Sequence, residues 1–196
     1  MRRFVLLVCV GAAALLLAAG TVWATTPIWP EPTKRCDRGG GPCVGTDRWD
    51  AIYGSKAADD IRAKAGSDDV VAKAGDDTIH GGRGFDFVWG AGGGDDTVYG
   101  GPNRDLLNGD SLVRNRGNDT LRGGAGNDRL DGDAGEDRLY GGGGDDRFVE
   151  GQDGSEDHLY CGEGHDTYYP PDASDHVAAS CEEEVPIPPY PPPVVD

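Results

Sequence analysis

The chain has 196 residues, with 18 Lys and Arg against 35 Asp and Glu, for a formal charge of −17. That acidity argues against nucleic acid or an anionic membrane surface as a partner, and it makes metal cations the natural counter-charge. Thirty-three glycines and only 37% hydrophobic residues exclude an ordinary globular core and, taken alone, would point to disorder.

In chain order, the first segment has the form of a secretory signal peptide. Arg2 and Arg3 are its positive start, Phe4 to Leu17 its apolar run, and Val22-Trp23-Ala24 a cleavage site, which places the signal at 1–24. The apolar run is shorter than the ~20 residues that a membrane anchor needs. Val8 before Cys9 does not suit a lipoprotein site. The expectation is an extracellular chain without a membrane span, whose 16 basic and 35 acidic residues after loss of Arg2 and Arg3 give a charge of −19.

Residues 25–44 read as a Pro-rich linker, with Pro27, Pro30 and Pro32, closed by a small Cys36–Cys43 loop. After loss of Cys9 the cysteines are Cys36, Cys43, Cys161 and Cys181. An even set in an exported chain favours disulfides. Of the three pairings, Cys36–Cys43 with Cys161–Cys181 closes short loops at opposite ends. A zinc site would want Cys-x-x-Cys pairs, which this spacing lacks.

Residues 45–182 are periodic. Gly81-Gly82-Arg83-Gly84-Phe85-Asp86-Phe87-Val88-Trp89 is one unit, Gly123 to Asp131 another, and Gly132 to Tyr140 and Gly141 to Val149 follow without a gap. The template is Gly-Gly-x-Gly-x-Asp-x-apolar-x. Its sixth-position acids are Asp50, Asp59, Asp68, Asp77, Asp86, Asp96, Asp105, Asp119, Asp128, Asp137, Asp146, Asp157, Asp166 and Asp175. Two residues after each stands an apolar or aromatic residue in all fourteen cases, from Ile52 to Val177. Three units are longer than nine residues: Gly90–Tyr99, Gly109–Arg122 and Glu150–Tyr160. Insertions in a repeat array map to surface loops.

These units resemble the RTX, or haemolysin-type, calcium-binding repeat. The x-apolar-x half is a short strand with one side chain facing in, and the glycine-rich half is a tight turn. Two units then make one coil, so the fold expected is an all-β parallel β-roll, a solenoid of about seven coils. One apolar side chain per unit cannot offset a backbone ordering cost of ~1–2 kcal/mol per residue. Calcium, a hard cation taking 6–8 oxygens, would supply the difference. The resemblance implies several Ca2+ ions between turns on the same side of the roll. The ligand candidates are Asp77, Gly81, Gly82, Gly84, Asp86, Asp96, Gly100, Gly101, Asp105, Asp119, Gly123, Gly124, Gly126, Asp128, Gly132, Gly135, Asp137, Gly141, Gly142, Gly144, Asp146, Asp157 and Asp166. The turns with Asp86, Asp105, Asp128, Asp146 and Asp166 match best; those with Asp77, Asp96, Asp119, Asp137 and Asp157 are more degraded.

The early units depart from the template. Lys56, Lys64 and Lys73 lie near their turns, where an ammonium would partly neutralise the Asp column, and metal sites before Asp77 are expected to be weak or absent. The unit at Pro170-Pro171-Asp172-Ala173 reads as a cap tied down by Cys161–Cys181, and 183–196 as a Pro-rich disordered tail.

Other chemistry is thin. His80, His158, His165 and His176 occupy the ninth, seventh, fifth and seventh positions and read as solvated residues. Asp95-Asp96 and Asp145-Asp146 read as turn residues rather than an acid/base pair. Trp49, Trp89, Tyr99, Tyr140 and Tyr169 read as cover for the strands. The overall reading is a secreted, non-enzymatic calcium-binding protein. The alternatives are an adhesion or spacer module using the calcium-rigidified roll, and the remnant of an RTX enzyme or toxin without its catalytic domain. A protein or glycan partner has no signature here.

Overall fold

A computed structural model of the chain describes residues 34–90, 92–110, 117–149, 153–169 and 173–184. The expected signal peptide, residues 25–33 of the Pro-rich linker, parts of the three longer units (91, 111–116 and 150–152) and nearly all of the tail lie outside them. Every regular element is a strand, in this order: β1 (Lys34–Arg35), β2 (Gly41–Val44), β3 (Ala51–Tyr53), β4 (Asp59–Ala65), β5 (Asp69–Val71), β6 (Thr78–Arg83), β7 (Phe87–Trp89), β8 (Thr97–Pro102), β9 (Leu106–Asn108), β10 (Thr120–Ala125), β11 (Arg129–Asp131), β12 (Arg138–Gly143), β13 (Arg147–Val149), β14 (His158–Glu163), β15 (Thr167–Tyr168), β16 (His176–Val177) and β17 (Glu183–Glu184). Odd strands form one parallel sheet of nine and even strands a second of eight. The chain therefore crosses from sheet to sheet at every unit and returns to the same sheet one coil later, which makes the β-solenoid of about seven turns expected from the period. Among the described residues no helix is long and apolar enough to cross a membrane.

Register follows the eighth position of the repeat. In the odd sheet Ile52, Val70, Val88, Leu107, Leu130 and Phe148 stack directly on one another, and Tyr168 ends the column. In the even sheet the column is Cys43, Ile61, Ile79, Val98, Leu121, Leu139, Leu159 and Val177. The two columns face each other and bury fully, except that Tyr168 and Val177 are only half-buried where the stack runs out. The long units do not disturb this. Val98 pairs with Leu121 across the longest insertion as squarely as Leu121 pairs with Leu139, so the extra residues leave the ladder intact.

The sheets begin upstream of Gly45. Lys34 pairs with Ile52 and Cys43 with Ile61, so the segment of the Cys36 loop supplies the first coil. Cys36 bonds Cys43 and Cys161 bonds Cys181, with Cα separations of 5.3 and 5.1 Å. Each bridge sits near an end of the stack: Cys43 lies on the edge strand β2, and Cys161 on β14, one strand in from the edge strand β16.

The core is thin by any measure. A buried Leu or Ile contributes about 1.5–3 kcal/mol, while ordering the nine backbones of its unit costs about 1–2 kcal/mol each. Parallel ladder hydrogen bonds recover ~1 kcal/mol apiece. The apolar column alone leaves each unit short, so order depends on what happens in the turns.

Candidate functional site

Burial recurs at three positions of the unit, not one. Besides the eighth residue, the sixth-position Asp and the first-position residue face inward. Asp86, Asp105, Asp119, Asp137 and Asp166 are 0% exposed, and the sixth-position acids from Asp50 to Asp166 are all buried. A buried carboxylate needs donors. From Asp68 onward each of these Asp side chains finds one in the previous coil. Its Oδ1 accepts the backbone N–H of the Asp one coil earlier, as in Asp68 from Asp50 (2.8 Å), Asp86 from Asp68 (2.9 Å), Asp105 from Asp86 (2.9 Å) and Asp128 from Asp105 (2.7 Å). The second ladder runs in the same way through Asp77, Asp96, Asp119, Asp137 and Asp157. Both turn columns, the well-matched and the degraded, share this geometry.

The other oxygen is left over. Oδ2 of Asp68, Asp77, Asp86, Asp96, Asp105, Asp119, Asp128, Asp137, Asp146 and Asp166 is buried with no hydrogen-bond partner. Native proteins carry only a few such atoms per hundred residues, so ten in two columns is a property of the repeat. The surroundings sharpen it. A Cβ placed on Gly100 would come within 2.5 Å of Asp105 Oδ2 and 2.8 Å of the Gly123 carbonyl oxygen. At Gly123 the same two contacts are Asp128 Oδ2 (2.3 Å) and the Gly141 oxygen (2.7 Å), and at Gly141 they are Asp146 Oδ2 (2.3 Å) and the Cys161 oxygen (2.4 Å). The first glycine thus leaves room that a Cβ would fill, beside both a carboxylate oxygen and a carbonyl oxygen of the next coil. An unpartnered carboxylate oxygen near a second acceptor is a combination that a cation or a proton relieves.

Charge and burial push these acids toward the protonated form. Burial, opposed by the Oδ1 hydrogen bond and reinforced by the neighbouring aspartates, raises Asp96 and Asp105 to about 8 and Asp137 to about 9. Asp119 and Asp146 rise to about 7, and Asp68 and Asp77 to about 6, again chiefly through burial.

The predicted glycines take two roles. Gly81, Gly100, Gly123, Gly132 and Gly141 are the inward first positions just described. Gly82, Gly101, Gly124 and Gly142 at the second position, and Gly84, Gly126, Gly135 and Gly144 at the fourth, have positive φ. Gly124 shows why: at φ 115° its absent Cβ would lie 2.2 Å from the Gly101 oxygen. Where glycine is replaced, Lys64 (φ 87°), Lys73 (φ 85°), Asn103 (φ 92°) and Asp133 (φ 69°) accept the same backbone.

The earliest units satisfy Oδ2 with protein, although Oδ1 of Asp59 stays buried without a partner. Asp50 Oδ2 accepts from the Thr46 backbone N–H (2.7 Å) and hydroxyl (2.8 Å), and Asp59 Oδ2 from the Ser55 N–H (2.7 Å). Asp68, which the repeat pattern had grouped with the metal-poor units, instead has the same open oxygen as Asp77. Lys73 does not reach the Asp column directly. Its ammonium donates to the Gly54 carbonyl oxygen and lies 5.6 Å from the centre of the Tyr53 ring. Burial lowers its pKa.

Two acids outside the template join the second column. Asp110 is fully buried and accepts from the N–H groups of Gly93 (3.1 Å) and Gly117 (3.0 Å). Asp133 accepts from the Asn108 amide at 2.8 Å, which leaves Asn108 Oδ1 buried and unpartnered. The only signal for them in the sequence is an acid directly after a first-position glycine, in Gly109-Asp110 and Gly132-Asp133.

The residues fit a hard divalent cation. The donor set is carboxylate and carbonyl oxygen, with unsatisfied oxygens in regular columns and space held by glycine. A family model for the RTX calcium-binding nonapeptide repeat matches in 4 copies, over residues 44–78, 91–111 and 115–148. A search of curated proteins finds no match.

Proposed function

Since this chain carries RTX calcium-binding nonapeptide repeats on a parallel β-roll, we propose that it is a secreted, non-enzymatic protein whose fold is completed by several calcium ions. The observation that carries this reading is the pair of columns of buried, unpartnered Asp Oδ2 atoms. The ligands proposed are the carboxylates of Asp77, Asp86, Asp96, Asp105, Asp119, Asp128, Asp137, Asp146, Asp157 and Asp166, with backbone carbonyls of the glycine turns they face. Asp68 joins them on its open oxygen. Calcium bound there supplies the positive charge that these unpartnered oxygens lack, and it cancels the repulsion within each column. Binding energy then becomes folding energy. Extracellular location rests on the signal-like N-terminus and on the cysteine pairs, which suit an oxidising compartment.

The test is a calcium titration of the full chain at pH 7.5, followed by circular dichroism and native mass spectrometry. The expected result is a β-type spectrum that forms with calcium and several ions per chain. The same ordered spectrum in excess chelator and in millimolar calcium would overturn the proposal.

A further inference from the structure

Outside the Asp columns, one group of side chains has a different chemistry. His158 on β14 and His176 on β16 are direct partners in the parallel ladder, both at the seventh position and both pointing out of the roll. Their rings stack with centroids 4.8 Å apart and planes 27° from parallel. Both turn Nε2 toward the same carboxylate. Glu156 Oε1 lies 3.0 Å from His176 Nε2 and 3.7 Å from His158 Nε2. One ligand atom from each of the three residues lies within 4.8 Å of the others.

We infer that Glu156, His158 and His176 form a surface site for a borderline divalent metal of the zinc type, separate from the calcium columns. Two imidazole nitrogens and one carboxylate are a zinc donor set, whereas calcium takes oxygens almost exclusively. Zinc–ligand bonds of about 2.0–2.2 Å in a tetrahedron put donors about 3.3 Å apart. The two Glu156–His separations fall on either side of that value, and the imidazole nitrogens, within 4.8 Å of one another, come together as the metal binds. A plain His176–Glu156 hydrogen bond explains one contact, and ladder register explains the ring stack. Neither accounts for a second imidazole nitrogen, His158 Nε2, 3.7 Å from the same oxygen. The three residues leave a fourth position open to solvent, since Glu156 and His176 are exposed. Metal held there joins β14 to β16, the last pair of the even sheet, close to the Cys161–Cys181 bridge.

The experiment is isothermal titration of zinc chloride into the full-length, calcium-saturated chain at pH 7.5. One zinc ion per chain is expected. His158→Ala, His176→Ala and Glu156→Gln should each weaken zinc by at least about tenfold, because even residues behind a ligand cost 10–100-fold. Calcium stoichiometry by native mass spectrometry should be unchanged in all three, which also shows that each variant folds. Cobalt(II) in place of zinc should give tetrahedral absorption bands in the wild type and lose them in the His158→Ala/His176→Ala double variant. No zinc binding by the wild type, or equal zinc affinity in the double variant, overturns the site. Neither result touches the calcium reading, which is judged without zinc.

Discussion

Asp105 accepts one N–H, from Asp86, and its other oxygen is buried without a hydrogen-bond partner. Without a cation the buried carboxylate is a liability, and burial raises its pKa to about 8. Asp105→Asn keeps the Oδ1 acceptor, removes the charge and puts an amide donor where the open oxygen was. Its effect should therefore change sign with calcium. In chelator, with trimethylamine oxide added to favour compact states, the variant should show more β signal than the wild type. In calcium it should bind one ion fewer and melt lower. A variant less ordered than wild type under both conditions would mean that the carboxylate serves only the ladder. Gly123 gives the complementary case. Its φ is unexceptional, but an added Cβ would meet Asp128 Oδ2 at 2.3 Å. Ala63 and Ala72 already occupy the first position, fully buried, in the early coils, so the backbone tolerates Gly123→Ala. The expected outcome is an intact roll with one calcium site lost or weakened at least about tenfold, read by native mass spectrometry and calcium titration, with an overpacking cost of about 1–3 kcal/mol.

At the scale of the element, the two turn types differ more than their shared Asp geometry suggests. Turns leaving even strands continue the sheet, since Gly101, Gly124 and Gly142 stay in ladder register beyond the inward residue. Turns leaving the three-residue odd strands leave the ladder, and there Asp110 accepts two backbone N–H groups while Asp133 accepts the Asn108 side-chain amide. This is why the Gly-Gly-x-Gly match is cleaner on one side: a sheet-like turn demands glycine, while a looser one accepts side-chain support. The ends of the stack rest on covalent help. The Cys161–Cys181 bridge spans 20 residues, a loop worth about 3 kcal/mol of denatured-state entropy. Cys161→Ala/Cys181→Ala should lower the calcium-loaded stability by about that amount. The loss should be local, with amide exchange rising first in β14, β16 and β17, whereas uniform exchange across all coils would contradict a capping role. Much of this was legible in the sequence. The Asp-x-apolar register placed the inward columns from Ile52 to Val177 and the two-unit coil, because one buried side chain per strand is a strict pattern. The first coil was not, because Lys34–Arg35 and Gly41–Val44 lack the template and are placed only by pairing with β3 and β4. Nor was the Asp-to-backbone ladder, which links residues a full coil apart, or the buried Asp110, which sits at the edge of an insertion.

For the molecule as a whole, the deciding quantity is the charge of the two Asp columns, which calcium or protons can lower. Asp68, Asp77 and Asp128 are held near 6, Asp119 and Asp146 near 7, Asp96 and Asp105 near 8, and Asp137 near 9, against an ordinary value of 3.8. Each folded value lies above the unfolded one, so the fold binds more protons than the open chain does. The stability this confers is complete below about pH 4, and it is lost as pH climbs through the 6 to 9 window in which these groups ionise. In chelator, acidification from pH 9 to pH 5 should therefore increase the β signal, with the steepest change between about 6 and 9. Calcium works in the opposite direction, because it needs the carboxylates that protons occupy. Calcium affinity should fall on acidification, by at least about tenfold between pH 8 and pH 6 if each ion displaces one proton or more. The two titrations must agree, since both read the same carboxylates. A calcium-free chain that loses order on acidification, or a calcium midpoint that does not move with pH, would show that the Asp columns do not carry the coupling. If both move as expected, acid and calcium are interchangeable ways of relieving the same unpartnered oxygens. The chain would then need calcium to be ordered in neutral or alkaline surroundings and would need less of it in acidic ones.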